Sequence, residues 1–111
     1  MPYLRLELSV GAADAVDLPA VLRRLVVALA ECPTVDSKAV KASADVATCH
    51  AVGDGHPSEF ARLIISILEG RTPEARAVIA DTMFAELRAA FPPSVGLSQE
   101  LREMNAADYR K

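Results

Sequence analysis

From Tyr3 to Leu8 polar and apolar side chains alternate without a break, with Leu4, Leu6 and Leu8 on one side and Tyr3, Arg5 and Glu7 on the other. Only a strand places every second residue on a common face. Residues 2–9 are therefore expected to form a half-buried strand, in a sheet with one side turned to a core. Pro2 heads that strand, where proline is tolerated. If Met1 is removed, Pro2 becomes a free secondary amine of nearly fixed ring geometry. Such an α-amino group starts from a pKa of ~8. Desolvation or a nearby cation lowers it towards neutrality, where a general base is most effective.

Two helices follow with similar opening chemistry. Asp17-Leu18-Pro19 offers an N-cap and a proline in the first turn. Leu18, Leu22, Leu25, Val26 and Leu29 continue at helical spacing, Arg23 and Arg24 fall off that stripe, and Cys32-Pro33 closes the segment. Thr72-Pro73-Glu74 opens the second helix, with Ile79, Met83, Leu87 and Phe91 every four residues and Pro92-Pro93 as the stop. Val78, Ala80 and Phe84 are expected to support that buried face.

Three more strands are expected. Val40, Ala42, Ala44 and Val46 alternate with Lys41, Ser43, Asp45 and Ala47 in the weak second one. Phe60 to Leu68, rich in β-branched residues, reads as a central strand. Val95 to Leu101 reads as a short final strand before a polar tail. Gly11-Ala12-Ala13 and Gly53-Asp54-Gly55-His56-Pro57 read as loops. The chain is thus one domain over 1–111, of α+β class. Two β-α-β units form a four-stranded sheet with both helices on one face. The uncovered face calls for a partner chain, most simply further copies of the same chain.

Composition removes several function classes. A net charge of -3 leaves no electrostatic footprint for nucleic acid. No apolar run approaches the ~18–20 residues that span a membrane, and no basic-then-apolar leader is seen; the expectation is a cytoplasmic protein without a membrane partner. With 51% hydrophobic and 5% aromatic residues the core is aliphatic. Cys32 and Cys49 read as free thiols. Cys49-His50 with His56 matches no zinc spacing and lacks an evident fourth ligand. Gly53-Asp54-Gly55 lacks the strand-to-helix context of a phosphate loop. No metal or cofactor is expected.

Three residues converge once this fold is accepted. Pro2 begins the first strand, Lys41 lies in the second, and Arg71 stands in the Gly70-Arg71-Thr72 turn before the second helix. A guanidinium beside helix N-terminal amides can hold a carboxylate, and cations around Pro2 would depress its pKa by like-charge repulsion. Arg5, Arg62 and Arg76 are further cations.

The chain resembles the 5-carboxymethyl-2-hydroxymuconate isomerases of the tautomerase superfamily. The resemblance rests on Met1-Pro2, Asp17-Leu18-Pro19 leading to Leu25 and Ala28-Leu29-Ala30, Asp54-Gly55, the run Ile67 to Glu74, Met83 to Leu87, Leu97-Ser98 and Glu100 to Glu103. It implies a homotrimer of β-α-β/β-α-β subunits, an N-terminal proline as proton-transfer base, and cations that bind substrate carboxylates, with Pro2 and Arg71 at matching positions. It departs where that family has an arginine in the second strand, since Lys41 offers a point charge instead of a fork. The C-terminal segment is shortened to Asn105–Lys111, and Ala44, Val46 and Ala47 replace aromatic residues of the second strand. The resulting expectation is a cofactor-independent tautomerase acting on a small carboxylated enol or unsaturated oxo acid. The rivals are hydration, dehalogenation or decarboxylation by the same proline, a non-catalytic binding or assembly module with Met1 retained, and a ferredoxin-like regulatory domain.

Overall fold

In the computed structural model, which describes residues 2–54 and 57–111, the chain runs β1 (Tyr3–Ser9), α1 (Val10–Asp14), α2 (Leu18–Ala30), β2 (Lys41–Ala47), β3 (Glu59–Leu68), α3 (Pro73–Ala90) and β4 (Val95–Met104). The four strands form one sheet in the order β2-β1-β3-β4. β1 pairs parallel with β2, with Tyr3 opposite Lys41, and antiparallel with β3, with Tyr3 opposite Ser66. β3 pairs parallel with β4 over its whole length. Each parallel pair is joined by one long helix, as the two-unit reading requires, and the units meet antiparallel along β1 and β3.

The alternation of β1 is realised in full. Leu4, Leu6 and Leu8 have no solvent exposure, and Ala61, Leu63, Ile65 and Ile67 of β3 lie in the same core. Burying each large aliphatic side chain contributes roughly 1.5–3 kcal/mol. α2 closes the core with Val21, Leu25, Ala28 and Leu29, and α3 with Ile79, Met83 and Leu87. Both caps form as expected: Asp17 accepts from the Ala20 amide at 3.3 Å and Thr72 from the Ala75 amide at 3.1 Å. Val78, expected to support the buried face of α3, is exposed instead, because it lies one position off the Ile79–Met83–Leu87 stripe.

Two further segments differ from expectation. Residues 10–14 are a short helix and not a loop. Ser9 caps it, and its buried Oγ accepts from the amides of Ala12 and Phe60 while donating to Glu59 Oε2 at 2.5 Å. Two of these partners, Glu59 and Phe60, come from β3, some fifty residues away, and only the bond to Ala12 is local. β4 extends to Met104, past Leu101. Its last turns alternate Leu101 towards the helices with Glu100 and Arg102 towards the open face, so the strand continues through residues that read as a polar tail.

That open face is not a bare apolar surface. Arg5 pairs with Asp45 at 2.8 Å and Glu7 at 3.5 Å, Arg62 with Glu7 at 3.4 Å and Glu100 at 2.7 Å, and Arg102 with Glu100 at 2.8 Å. An unbroken ladder of alternating charge therefore crosses all four strands. Tyr3 donates to Ser43 Oγ beside it at 2.9 Å. Ile64 is the buried apolar residue on this side. No helix among the described residues is long and apolar enough to cross a membrane.

Candidate functional site

Strand direction decides which residues share an end of the sheet. β1 and β2 start where β3 and β4 finish. Pro2, Lys41 and Arg71 therefore stand at one end, although 39 and 30 residues separate them in turn. The link between the first two is direct: the Lys41 amide donates to the Pro2 carbonyl at 3.1 Å.

They do not share a face. Pro2 is buried, and the pleat puts it on the side of Leu4, towards the helices. Lys41 is exposed and sits opposite Tyr3, whose side chain is on the open face. Arg71 lies in the turn from β3 into α3, after Gly70, whose φ of +114° few other residues adopt. Its guanidinium donates from Nε to Thr34 Oγ1 at 2.9 Å, from NH2 to the Thr34 carbonyl at 2.8 Å, and from NH1 to the Leu68 carbonyl at 3.0 Å.

Arg71 thus staples the loop between α2 and β2 to the end of β3. Thr34 itself has φ of 73°, a left-handed conformation that is a real outlier for a β-branched residue. A guanidinium has five N–H groups, and these bonds use one on each nitrogen, so each terminal nitrogen retains a second donor. Arg76 supports the same corner by donating to the Arg71 carbonyl at 2.8 Å and lying 3.7 Å from Glu103. The tail closes over this end as well: the Ala106 amide donates to Glu69 Oε2 at 3.2 Å, and a turn on Asn105 brings Tyr109 back against the open face.

Sequence reasoning singled out Pro2, Lys41 and Arg71 but not Thr34 or Tyr109. Nothing local marks a threonine for positive φ, and the tail reads only as polar. Arg5 and Arg62 are members of the open-face ladder. Of the Cys49, His50 and His56 cluster, His56 lies outside the described residues. The His50 ring stands 2.9 Å from the Ser58 carbonyl and packs edge-on against Phe60. Among the described residues no three His, Cys, Asp or Glu side chains converge as a metal site. Cys32 is buried and donates to the Ala28 carbonyl at 3.5 Å; burial pushes its thiol pKa up, whereas Cys49 is exposed.

Comparison with known proteins gives a consistent picture. The family model for 5-carboxymethyl-2-hydroxymuconate isomerase matches residues 2–111. Among solved structures, a 5-carboxymethyl-2-hydroxymuconate delta-isomerase superposes with a TM-score of 0.89 at 22% identity, over 100% of this chain and 87% of that one. A 5-carboxymethyl-2-hydroxymuconate isomerase from Deinococcus radiodurans R1 gives 0.86 at 27% identity, over 99% and 87%. A macrophage migration inhibitory factor-like protein from Entamoeba histolytica shares the fold at 0.69 and 15% identity, over 99% and 94%. Comparison with curated protein sequences gives no match.

Proposed function

The chain belongs to the 5-carboxymethyl-2-hydroxymuconate isomerase family, and we propose on that premise that it is a cofactor-independent tautomerase with Pro2 as its general base. Isomerase activity follows from the family itself. The finer reading, a small carboxylated enol or unsaturated oxo acid as substrate, is supported by one observation above the others. Pro2 is buried at the head of β1, at the sheet end that also carries Lys41 and Arg71.

With Met1 removed, the Pro2 nitrogen takes a proton from an enol hydroxyl or an acidic carbon and returns it elsewhere on the conjugated system. No net oxidation occurs and nothing leaves. The residual N–H groups of Arg71 meet a carboxylate and stabilise the enolate charge as it develops. Lys41 binds a second carboxylate or the oxo oxygen as a point charge. Because Pro2 and Lys41 stand on opposite sides of their own sheet, a substrate touching both roles is held where two copies meet. A homotrimer satisfies that requirement, and one similar structure is described as a symmetric trimer of fused 4-OT (TM-score 0.76, 18% identity).

The test compares processed protein with a variant carrying extra residues ahead of Pro2. An amide nitrogen is not a base, so the extended protein should not turn over phenylenolpyruvate, while the processed one does. Equal rates would refute the catalytic role of Pro2. Light scattering that finds a stable monomer at micromolar concentration would remove the shared site.

A further inference from the structure

Between α2 and α3, on the side of the helices turned away from the sheet, lies an open groove of about 590 Å³. Assembly across the open sheet face does not use it. Val27 and Val78 are the most exposed large apolar side chains among the described residues, at 55% and 49%, and both line this groove. The outer face of a surface helix is ordinarily polar.

The two helices run antiparallel. Arg24 pairs with Glu86 at 2.6 Å across the groove, and the Cys32 thiol is hydrogen-bonded to Thr82 further along. Those groups are already matched within the chain. Arg23 and Glu31 also line the groove and are exposed, but among the described residues neither makes an ion pair or a side-chain hydrogen bond.

Arg23, Val27 and Glu31 follow one another at intervals of four residues, with Glu31 still helical in backbone at the C-cap. They form one stripe along α2, reading cation, apolar, anion. Turned end for end, the stripe reads anion, apolar, cation, and is its own complement. A two-fold axis through Val27 sets that residue against its copy and Arg23 of each chain against Glu31 of the other. Such reciprocity is what an isologous contact requires. Ridges of four-residue spacing on both helices interdigitate at a crossing of about −50°, the commonest helix pairing. The apolar stem of Arg23 then covers the partner's Val78, at the Glu31 end of the groove, while its head meets Glu31.

We infer that this groove docks a second copy of the chain, through a two-fold contact of α2 with α2 that is additional to assembly across the open face. A contact built on one helical stripe is small, so it is weak and depends on concentration.

Sedimentation velocity at low salt, followed as protomer concentration rises, tests it. Wild type should grow beyond the assembly it has when dilute. Arg23→Glu and Glu31→Arg should each weaken that growth by about tenfold or more, because symmetry turns two attractive pairs into two repulsive ones. Val27→Asp should abolish it. The double reversal Arg23→Glu/Glu31→Arg should restore it, and so should an equimolar mixture of the two single variants. None of these residues lies at the Pro2 end, so the result is independent of the base proposed there. A wild-type mass that stays constant up to roughly 1 mM protomer overturns the proposal. A double reversal or a mixture that associates no better than the single variants overturns it as well, and leaves the groove to a different partner.

Discussion

Replacing Arg71 by Ala removes three hydrogen bonds at once, to Thr34 Oγ1, the Thr34 carbonyl and the Leu68 carbonyl. Buried bonds to a charged donor contribute ~1.5–3 kcal/mol each, but Thr34 is exposed and its oxygens return to water when Arg71 leaves. The discounted loss is about 0.5 kcal/mol for each bond, or about 1–2 kcal/mol together. Freed from the staple, Thr34 can leave its left-handed conformation and recover part of the ~1–2 kcal/mol that this backbone costs. Thermal melting at fixed protomer concentration should therefore show a fall of several degrees, at roughly 4–8 °C per kcal/mol for a domain of this size.

Thr34→Gly provides the control. It removes the Oγ1 acceptor and the backbone strain while leaving the guanidinium charge in place. Its own stability should change little. In a double-mutant cycle it should couple to Arg71→Ala by about 0.5–1 kcal/mol. Activity separates the staple from the proposed carboxylate binding by Arg71: kcat/KM on a dicarboxylate enol should fall on Arg71→Ala by far more than on Thr34→Gly. If Arg71→Ala melts like wild type, the staple contributes nothing. If both variants lose activity equally, Arg71 acts by holding the loop and not the substrate.

Three other outcomes follow from the structure. Hydrogen bonds from Arg102 and Arg62 hold the Glu100 carboxyl below its ordinary value of 4.5, so its contribution is present above that pH and lost as pH falls through the lower folded value; Glu100→Gln should flatten the acid side of the stability curve in denaturant titrations. Thr72→Ala removes the N-cap of α3 and should cost about 0.5–2 kcal/mol in the same assay. Iodoacetamide should alkylate Cys49 in the native protein and reach Cys32 only on unfolding, since Cys32 is buried with its thiol pKa raised; equal labelling rates would contradict that burial.

What the sequence could announce depended on whether the cause was local. Leu4, Leu6 and Leu8 state their face through spacing alone, and Asp17 and Thr72 start their helices through bonds made three residues away. α1 was not read, because Ser9, besides its cap bond to Ala12, is held by Glu59 and Phe60 of a distant strand. The end of β4 was hidden for a related reason. Glu100 and Arg102 look like tail residues until the ladder from Asp45 across to Arg102 gives them partners on other strands. The shared sheet end of Pro2, Lys41 and Arg71 was legible from strand order. The split of Pro2 and Lys41 between two faces, and the tie from Arg71 to Thr34, depend on register and on loop conformation that composition does not encode.

The antiparallel meeting of two similar β-α-β units gives the sheet two ends of related construction. At one, β1 starts beside the finish of β3; at the other, β3 starts beside the finish of β1. A chain has a single amino terminus, so the free secondary amine that Pro2 would offer once Met1 is removed can exist at the first end alone. The second end begins at an ordinary peptide, and there Glu59 and Ser9 spend their polar groups on fastening α1 to the sheet. If Pro2 is the base proposed above, the duplicated architecture has one reactive corner and one structural corner, and substitutions at Ser9 or Glu59 should register in folding while those at Pro2 register in turnover.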